Sequence, residues 1–205
     1  MIKRQSLYGL VLSGGKSRRM GRDKSLLKYH GKPQVRHAYE LLSRFCGKVF
    51  VSNRREQSST PALAGLPQIH DAAKFKDIGP LGGILTAMGR FPRRGWLVLA
   101  CDLPHVDRTV LRKMIAKRDR LKFATAYRSS HDGLPEPLCA IYEPSYRKRL
   151  QLFLSRGVQC PRKIMINSKV RLLRQSNRKS LDNVNDRREY RIVLKELKAH
   201  GPKTN

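Results

Sequence analysis

Acidic residues are scarce in this chain. Its 205 residues hold 15 Asp and Glu against 44 Lys and Arg, a formal net charge of +29. A small domain usually carries a net charge of magnitude about 2–8, so the surface is built to attract anions. The excess is no tail: residues 1–144 hold 27 basic and 11 acidic side chains, and residues 145–205 hold 17 and 4. Long apolar runs are also missing, and none approaches the roughly 20 residues of a membrane span. The opening Met1–Ser6 passes straight into a strand-like segment, without the apolar region and cleavage site of a secretory signal. Together these absences predict a cytoplasmic protein. Cysteines number four, Cys46, Cys101, Cys139 and Cys160, with no C-x-x-C pair and no His at ligand spacing. That excludes a zinc knuckle or disulfide framework and predicts reduced, partly buried thiols. Few aromatics interleave with the basic runs, which weighs against a stacking platform for single-stranded nucleic acid. No Ser-His-Asp or Cys-His constellation stands out, so covalent catalysis is not expected.

What the chain does have is a glycine loop of unusual length. The apolar run Leu7–Leu12 reads as a buried strand, and Leu12-Ser-Gly-Gly-Lys-Ser-Arg-Arg-Met-Gly-Arg-Asp-Lys24 continues directly from it. Gly14 and Gly15 allow a sharp turn that brings backbone N–H groups close to an anion. Arg18, Arg19 and Lys24 add countercharge. Thirteen residues is long for an idle turn. The string is not a Walker A loop, because Leu10 stands where that motif needs glycine. It is not the dinucleotide pattern either: Gly14 and Gly15 are adjacent, and the next glycine is Gly21.

Beyond the loop the pattern alternates. Pro33–Phe45 reads as a helix, Lys48–Ser52 as a strand and Gln68–Asp71 as a short strand. Pro80 suits a helix start, and Leu81–Phe91 has helical spacing. Trp96–Ala100 is the clearest buried strand. A helix over Asp107–Arg118, a strand over Phe123–Tyr127, a strand over Leu138–Tyr142 and a helix over Pro144–Ser155 come next. Residues 157–180 carry little pattern, and Asp186–Lys198 is a basic amphipathic helix with Tyr190, Val193, Leu194 and Leu197 on its apolar side. This is a single α/β domain: an open, mostly parallel, Rossmann-like sheet with helices on both faces. Ligands bind beyond the carboxyl ends of such strands. Ser13, Asn53, Asp71 and Asp102 each fall at the carboxyl end of a predicted strand, which brings an amide, two carboxylates and a glycine loop to one rim.

The loop string resembles the L-x-G-G-x-S-x-R-M-G-x-D-K opening of nucleotidyltransferases, most closely the molybdenum cofactor guanylyltransferases. Four later segments resemble the same family in order: Gly79-Pro80-Leu81-Gly82-Gly83-Ile84, Cys101-Asp102-Leu103-Pro104, Glu136-Pro137-Leu138-Cys139-Ala140-Ile141-Tyr142 and Asn183-Val184-Asn185. The resemblance implies a nucleotide-diphospho-sugar transferase type of fold. It implies a GTP-binding half over residues 1–110, and a molybdopterin-binding half with a C-terminal helix over residues 111–205. It implies that Leu12, Asn53 and Asp71 surround guanine and ribose, and that Ser13, Gly14, Gly15, Lys24, Gly79, Pro80, Leu81 and Asp102 complete the GTP site. Asp102 would hold Mg²⁺, Asn185 completing its shell or orienting its water. Glu136, Pro137, Asn183 and Asn185 would face the pterin.

The implied reaction condenses molybdopterin, or its molybdenum-loaded form, with GTP. An anionic pterin phosphate attacks the α-phosphorus and pyrophosphate leaves. Such a site must position two polyanions and absorb their repulsion, with Arg19 and Lys24 supplying charge as it builds on the leaving group. Related cytidylyltransferases carry Pro-x-x-Gly where this chain has Leu12-Ser13-Gly14-Gly15, which favours guanine. Two rival readings stand beside this one. One is a cytidylyl- or sugar-nucleotide transferase on the same fold; the other is a basic nucleic-acid-binding protein that keeps a nucleotidyltransferase shell. Protein partners in cofactor delivery are a further expectation; a membrane partner is not.

Overall fold

The computed structural model describes residues 7–15 and 23–199. Seven strands form one sheet: β1 (Leu7–Leu12), β2 (Lys48–Ser52), β3 (Gln68–Ile69), β4 (Gly95–Ala100), β5 (Ala124–Arg128), β6 (Pro135–Tyr142) and β7 (Val170–Leu173). Their spatial order is β3-β2-β1-β4-β6-β5-β7. β1, β2, β3 and β4 run parallel, and β6 is antiparallel to both its neighbours, β4 and β5. β7 then pairs parallel with β5 at the far edge. The expected mostly parallel α/β sheet is therefore present, with one reversed strand inside it.

Strand periodicity builds the two core layers. In β1, Leu7 and Val11 point to one layer, while Tyr8 and Leu10 point to the other. In β4, Leu97 and Leu99 alternate with Trp96 and Val98 in the same way, and every residue of the strand is buried. Helices α1 (Gln34–Ser43) and α3 (Arg108–Ala116) cover the first face with Val35, Leu42, Leu111 and Met114. Helices α2 (Pro80–Arg90), α4 (Tyr146–Ser155) and α5 (Pro161–Ile166) cover the second with Ile84, Leu85, Leu150 and Ile164. Gly9 lets α1 approach β1 closely: a Cβ there would sit 3.2 Å from Leu42 Cβ and 3.0 Å from Val49 Cγ2. The last helix, α6 (Arg187–Ala199), joins neither layer. It buries Val193 in a small separate cluster with Tyr29 and Val184, and Tyr190 meets Tyr29 edge-on at 5.0 Å. Among the described residues no helix is long and apolar enough to cross a membrane.

Three sequence expectations shift. The third strand ends at Ile69, so Asp71 lies past the strand rather than within it. Glu136 and Pro137 do not fall between strands; they belong to β6, which begins at Pro135. Pro137 is tolerated because the β5–β6 register shifts between Ala126 and Arg128, where a missing N–H breaks no regular ladder. The unpatterned stretch 157–180 contains α5 and β7.

Two buried charged or titratable features set stability. Arg118 grips Glu143 through two hydrogen bonds, Nε to Oε1 at 2.6 Å and the second guanidinium nitrogen to Oε2 at 2.7 Å. Both side chains are buried, at 9% and 4% exposure. Glu143→Ala leaves a guanidinium without its carboxylate, and should cost on the order of 3–5 kcal/mol; urea denaturation monitored by circular dichroism measures it. On α1, His37 stacks on His30 at 3.8 Å, and burial pushes its pKa down to about 3, with the His30 and Lys32 charges acting the same way. An unfolded His titrates near 6.5. Between about pH 6.5 and pH 3 the unfolded chain therefore binds more protons, and stability falls as pH falls through that window. His37→Phe should flatten the decline in melting temperature between pH 7 and pH 5. An unchanged slope would place the titration elsewhere.

Candidate nucleotide site

The chain fills one side of β1 with β2 and β3, then returns through α2 to place β4 on the other side. The reversal makes the carboxyl ends of β1 and β4 the switch point of the sheet, where open α/β folds leave a crevice. An open cleft of about 1160 Å³ lies there. Its lining brings together residues from seven separate chain segments. β1 delivers Leu12, Ser13, Gly14 and Gly15, and β2 delivers Asn53. The segment after β3 delivers Asp71, the start of α2 delivers Gly79 and Pro80, and β4 delivers Asp102. Lys24 and Asn185 close the set.

Backbone hydrogen bonds fix this convergence. Ser13 N–H donates to Ser52 C=O at 2.9 Å, and Cys101 N–H donates to Leu12 C=O at 3.1 Å. Val184 N–H donates to Asp102 C=O at 3.0 Å, so the segment before α6 is tied directly beneath β4. Asn185 is set in turn by α6, whose Glu189 carboxylate accepts its backbone N–H at 2.6 Å. Lys24 then reaches across: its Nζ donates to Asn185 Oδ1 at 2.9 Å and lies 3.7 Å from Asp102 Oδ2. Asp23 caps the short turn Lys24–Leu26 by accepting from Ser25 N–H. Its other oxygen accepts from Gln57, which also donates to Ser13 C=O at 3.4 Å. Gln57 thus joins the described ends of the glycine loop.

Burial raises the Asp102 pKa above the ordinary carboxylate range, and Lys24 pulls it back. Asp102 Oδ1 is buried with no hydrogen-bond donor among the described residues. Asn53 Oδ1 is in the same condition, while the Asn53 amide nitrogen donates to Gln68 and to Arg54 C=O. Asp71 is also raised, by burial first and by the Asp77 charge second, with His70 opposing. Two acceptor groups in one polar cleft that lack a donor among the described residues are open to donors or a cation from a ligand.

The glycines of the α2 start have a steric role. A Cβ on Gly82 would lie 2.6 Å from Asp71 Oδ2, and one on Gly83 would collide with Ser52 Oγ. Only glycine lets the helix start press against the ends of β2 and β3. Gly79 has φ +66°, a conformation that side chains with a Cβ rarely adopt.

Some expected residues are placed otherwise. Leu81 is fully buried in the core with Ile84 and Leu85, so its side chain does not face the cleft. The helical turn after Pro80 rotates it inward. Arg19 lies outside the described residues. Glu136, Pro137 and Asn183 line a second cavity of about 510 Å³ that shares Asp77, Gly79, Pro80 and Leu138 with the first. Asn183 and Asn185, two residues apart, therefore serve different cavities. Sequence reading missed Arg54 and Arg55 on the cleft rim, directly after Asn53, and Gln57 beneath it. It also missed Arg162, which bridges Asp132 and Glu136 at 2.8 Å each beside the second cavity. Arg162 lies in the stretch without readable pattern. Of the cysteines, Cys46, Cys101 and Cys139 are buried, and Cys160 is exposed at that cavity.

Comparison with known proteins agrees with this fold. Residues 9–178 match the family model described as the MobA-like NTP transferase domain. A molybdenum cofactor biosynthesis bifunctional protein of Synechocystis is 39% identical over 192 residues, 92% of this chain and 54% of that protein. A molybdenum cofactor guanylyltransferase of Pseudomonas aeruginosa is 30% identical over 159 residues, 77% of this chain and 78% of that protein. The chain thus spans about half the length of the first relative. Among solved structures, the molybdopterin-guanine dinucleotide biosynthesis protein A of Archaeoglobus fulgidus superposes with a TM-score of 0.75 at 23% identity, covering 94% of this chain and 99% of that one. The chain belongs to the MobA-like NTP transferase family.

Proposed function

We propose that this protein transfers the GMP unit of GTP to molybdopterin or its molybdenum-loaded form, releasing pyrophosphate. The observation that carries the reading is the meeting of Lys24, Asp102 and Asn185 at one point of the cleft, from positions up to 161 residues apart. The names carried by relatives supply the substrate class.

In this reading the pterin phosphate oxygen forms the new bond to the α-phosphorus, and the bond from that phosphorus to the pyrophosphate oxygen breaks. The nucleophile is already anionic, so no side chain needs to take a proton. The backbone at Gly14 and Gly15 approaches the triphosphate, and Lys24 neutralises it where water is partly excluded. Asn53 and Asp71 face the base. The second cavity, with Glu136, Pro137 and Asn183, takes the pterin, so residues 1–110 serve mainly the nucleotide and residues 111–205 mainly the acceptor.

The residues fit a magnesium ion in one specific way. Asp102 Oδ1 is a buried acceptor without a donor among the described residues, a proper ligand for a hard cation. Among the described residues no group of three or more His, Cys, Asp or Glu could hold a metal alone. Mg²⁺ bound by one carboxylate, phosphate oxygens and water needs no such group. Asp102 would hold it and Asn185 would stand beside it. When bound, the ion screens phosphate charge and polarises the reacting phosphoryl group.

A nucleotide panel tests the base. With Mg²⁺ present, GTP should raise the melting temperature more than CTP, UTP or ATP, because a ligand that binds only the native state stabilises it according to its affinity. A larger shift with CTP would turn the reading toward a cytidylyltransferase. Salt-sensitive retention of nucleic acid, with no nucleotide shift, would turn it toward the basic nucleic-acid-binding alternative.

A further inference from the structure

Asn53 is one of the two base-facing residues of the proposed reading, and what it offers a base depends on which way its amide points. An amide has one acceptor end and one donor end, and the two ends read opposite chemistry. The orientation of Asn53 is decided by a chain of contacts that begins at a backbone carbonyl. Ser58 C=O can only accept, and the Gln68 side-chain NH₂ donates to it at 3.2 Å. Gln68 must then turn its carbonyl the other way. That carbonyl accepts from the Asn53 side-chain NH₂ at 2.8 Å. A second backbone carbonyl, Arg54 C=O, draws the same NH₂ group at 3.3 Å. Both donors of Asn53 are thereby used, and Oδ1 is left buried without a donor among the described residues.

The backbone around Asn53 is held with equal firmness. Its N–H donates to Ile69 C=O at 3.2 Å, and its C=O meets His70 Nδ1 at 3.1 Å. His70 Nε2 reaches Ser58 Oγ at 3.3 Å. Gln68 and His70 flank Ile69 on the β3 segment, and both lead to Ser58. The two arms hold Asn53 by its backbone and by its side chain.

We propose that Gln68 is a positioning residue that sets nucleobase selectivity by fixing the polarity of the Asn53 amide. With Gln68 in place, Asn53 presents only an acceptor. Guanine offers the donors N1–H and the 2-amino group on one edge. Adenine carries an acceptor at N1, which meets the Asn53 oxygen with repulsion. Without Gln68, only the longer contact to Arg54 C=O holds that orientation, and the Asn53 amide can turn over to present NH₂ to adenine. This inference rests on the reading of Asn53 as base-facing.

The test compares binding of GTP and ATP, each with Mg²⁺, to the full chain by calorimetry. Gln68→Met removes the amide while keeping the length of the side chain. It should reduce the GTP-over-ATP preference by about tenfold, the loss expected for one hydrogen bond to a fixed acceptor. Where turnover is measured, KM for GTP should rise with kcat within about twofold, as for lost binding common to ground and transition states. Gln68→Glu gives up the donation to Ser58 C=O but still accepts from Asn53, and should keep most of the wild-type preference, which a merely structural role for the glutamine does not predict. If Gln68→Met does not fold, Gln68→Ala removes the same amide without added bulk. A wild-type protein with no GTP preference would overturn the guanine reading itself. A wild-type preference for GTP that survives in Gln68→Met or Gln68→Ala would overturn the positioning role alone.

Discussion

Replacing Lys24 with alanine should lower kcat/KM for GTP by roughly 100-fold or more, the scale seen when one preorganised donor to developing charge is removed. The chain has 44 basic residues, so the loss of a single charge should by itself be negligible. What distinguishes Lys24 is its setting. Its side chain is 18% exposed and is aimed by Asn185 and Asp102 into the cleft. A charge held there is weakly screened, whereas an exposed one is damped within about 8–10 Å at ordinary salt. Lys198, exposed on α6, is the matched control. Lys198→Ala should retain activity within about twofold, as surface substitutions commonly do. Kinetics at two salt concentrations separate the cases. Equal loss in both variants, mimicked by added salt in the wild type, would mean that bulk charge rather than a built phosphate site governs the reaction.

Asp102→Asn should preserve the fold and cut turnover by about 10³-fold, with little rescue by extra Mg²⁺. The substitution is nearly isosteric, and Val184 bonds to the Asp102 backbone, which does not change. What changes is the carboxylate with its buried Oδ1: one anionic acceptor becomes a neutral amide. Lys24 also loses its charged neighbour at 3.7 Å. The two effects share one cluster, so Lys24→Ala and Asp102→Asn combined should cost far less than the product of the single losses. Circular dichroism and melting temperature confirm folding, and pyrophosphate release gives the rate. A folded Asp102→Asn protein with near-normal turnover would remove Asp102 from the reaction.

Much of this arrangement is visible in the sequence because strand ends are visible. Leu7–Leu12, Lys48–Ser52 and Trp96–Ala100 are short apolar runs, and parallel strands deliver the residues at their carboxyl ends to the same edge of the sheet. That rule alone brings Ser13, Asn53 and Asp102 together. Asp71 obeys it as well, although β3 stops two residues earlier than its pattern suggests. Motif adjacency misleads at Leu81, where helical rotation turns a residue of the glycine-rich segment into the core. The tie between Lys24 and Asn185 spans 161 residues and leaves no local pattern. Gln57 and Gln68 are invisible for another reason: each acts through side-chain amides whose partners are backbone carbonyls or distant side chains. β7 escapes notice because it is a four-residue edge strand with Arg171 exposed, and edge strands lack the apolar run of central ones.

The most direct measurement is turnover of GTP with purified molybdopterin as acceptor, read as pyrophosphate release together with the nucleotide content of the product. One pyrophosphate should form for each guanine dinucleotide, with CTP giving far less. Release that proceeds equally with CTP, or that is absent with GTP and a competent acceptor, would contradict a guanylyl transfer built on Lys24 and Asp102.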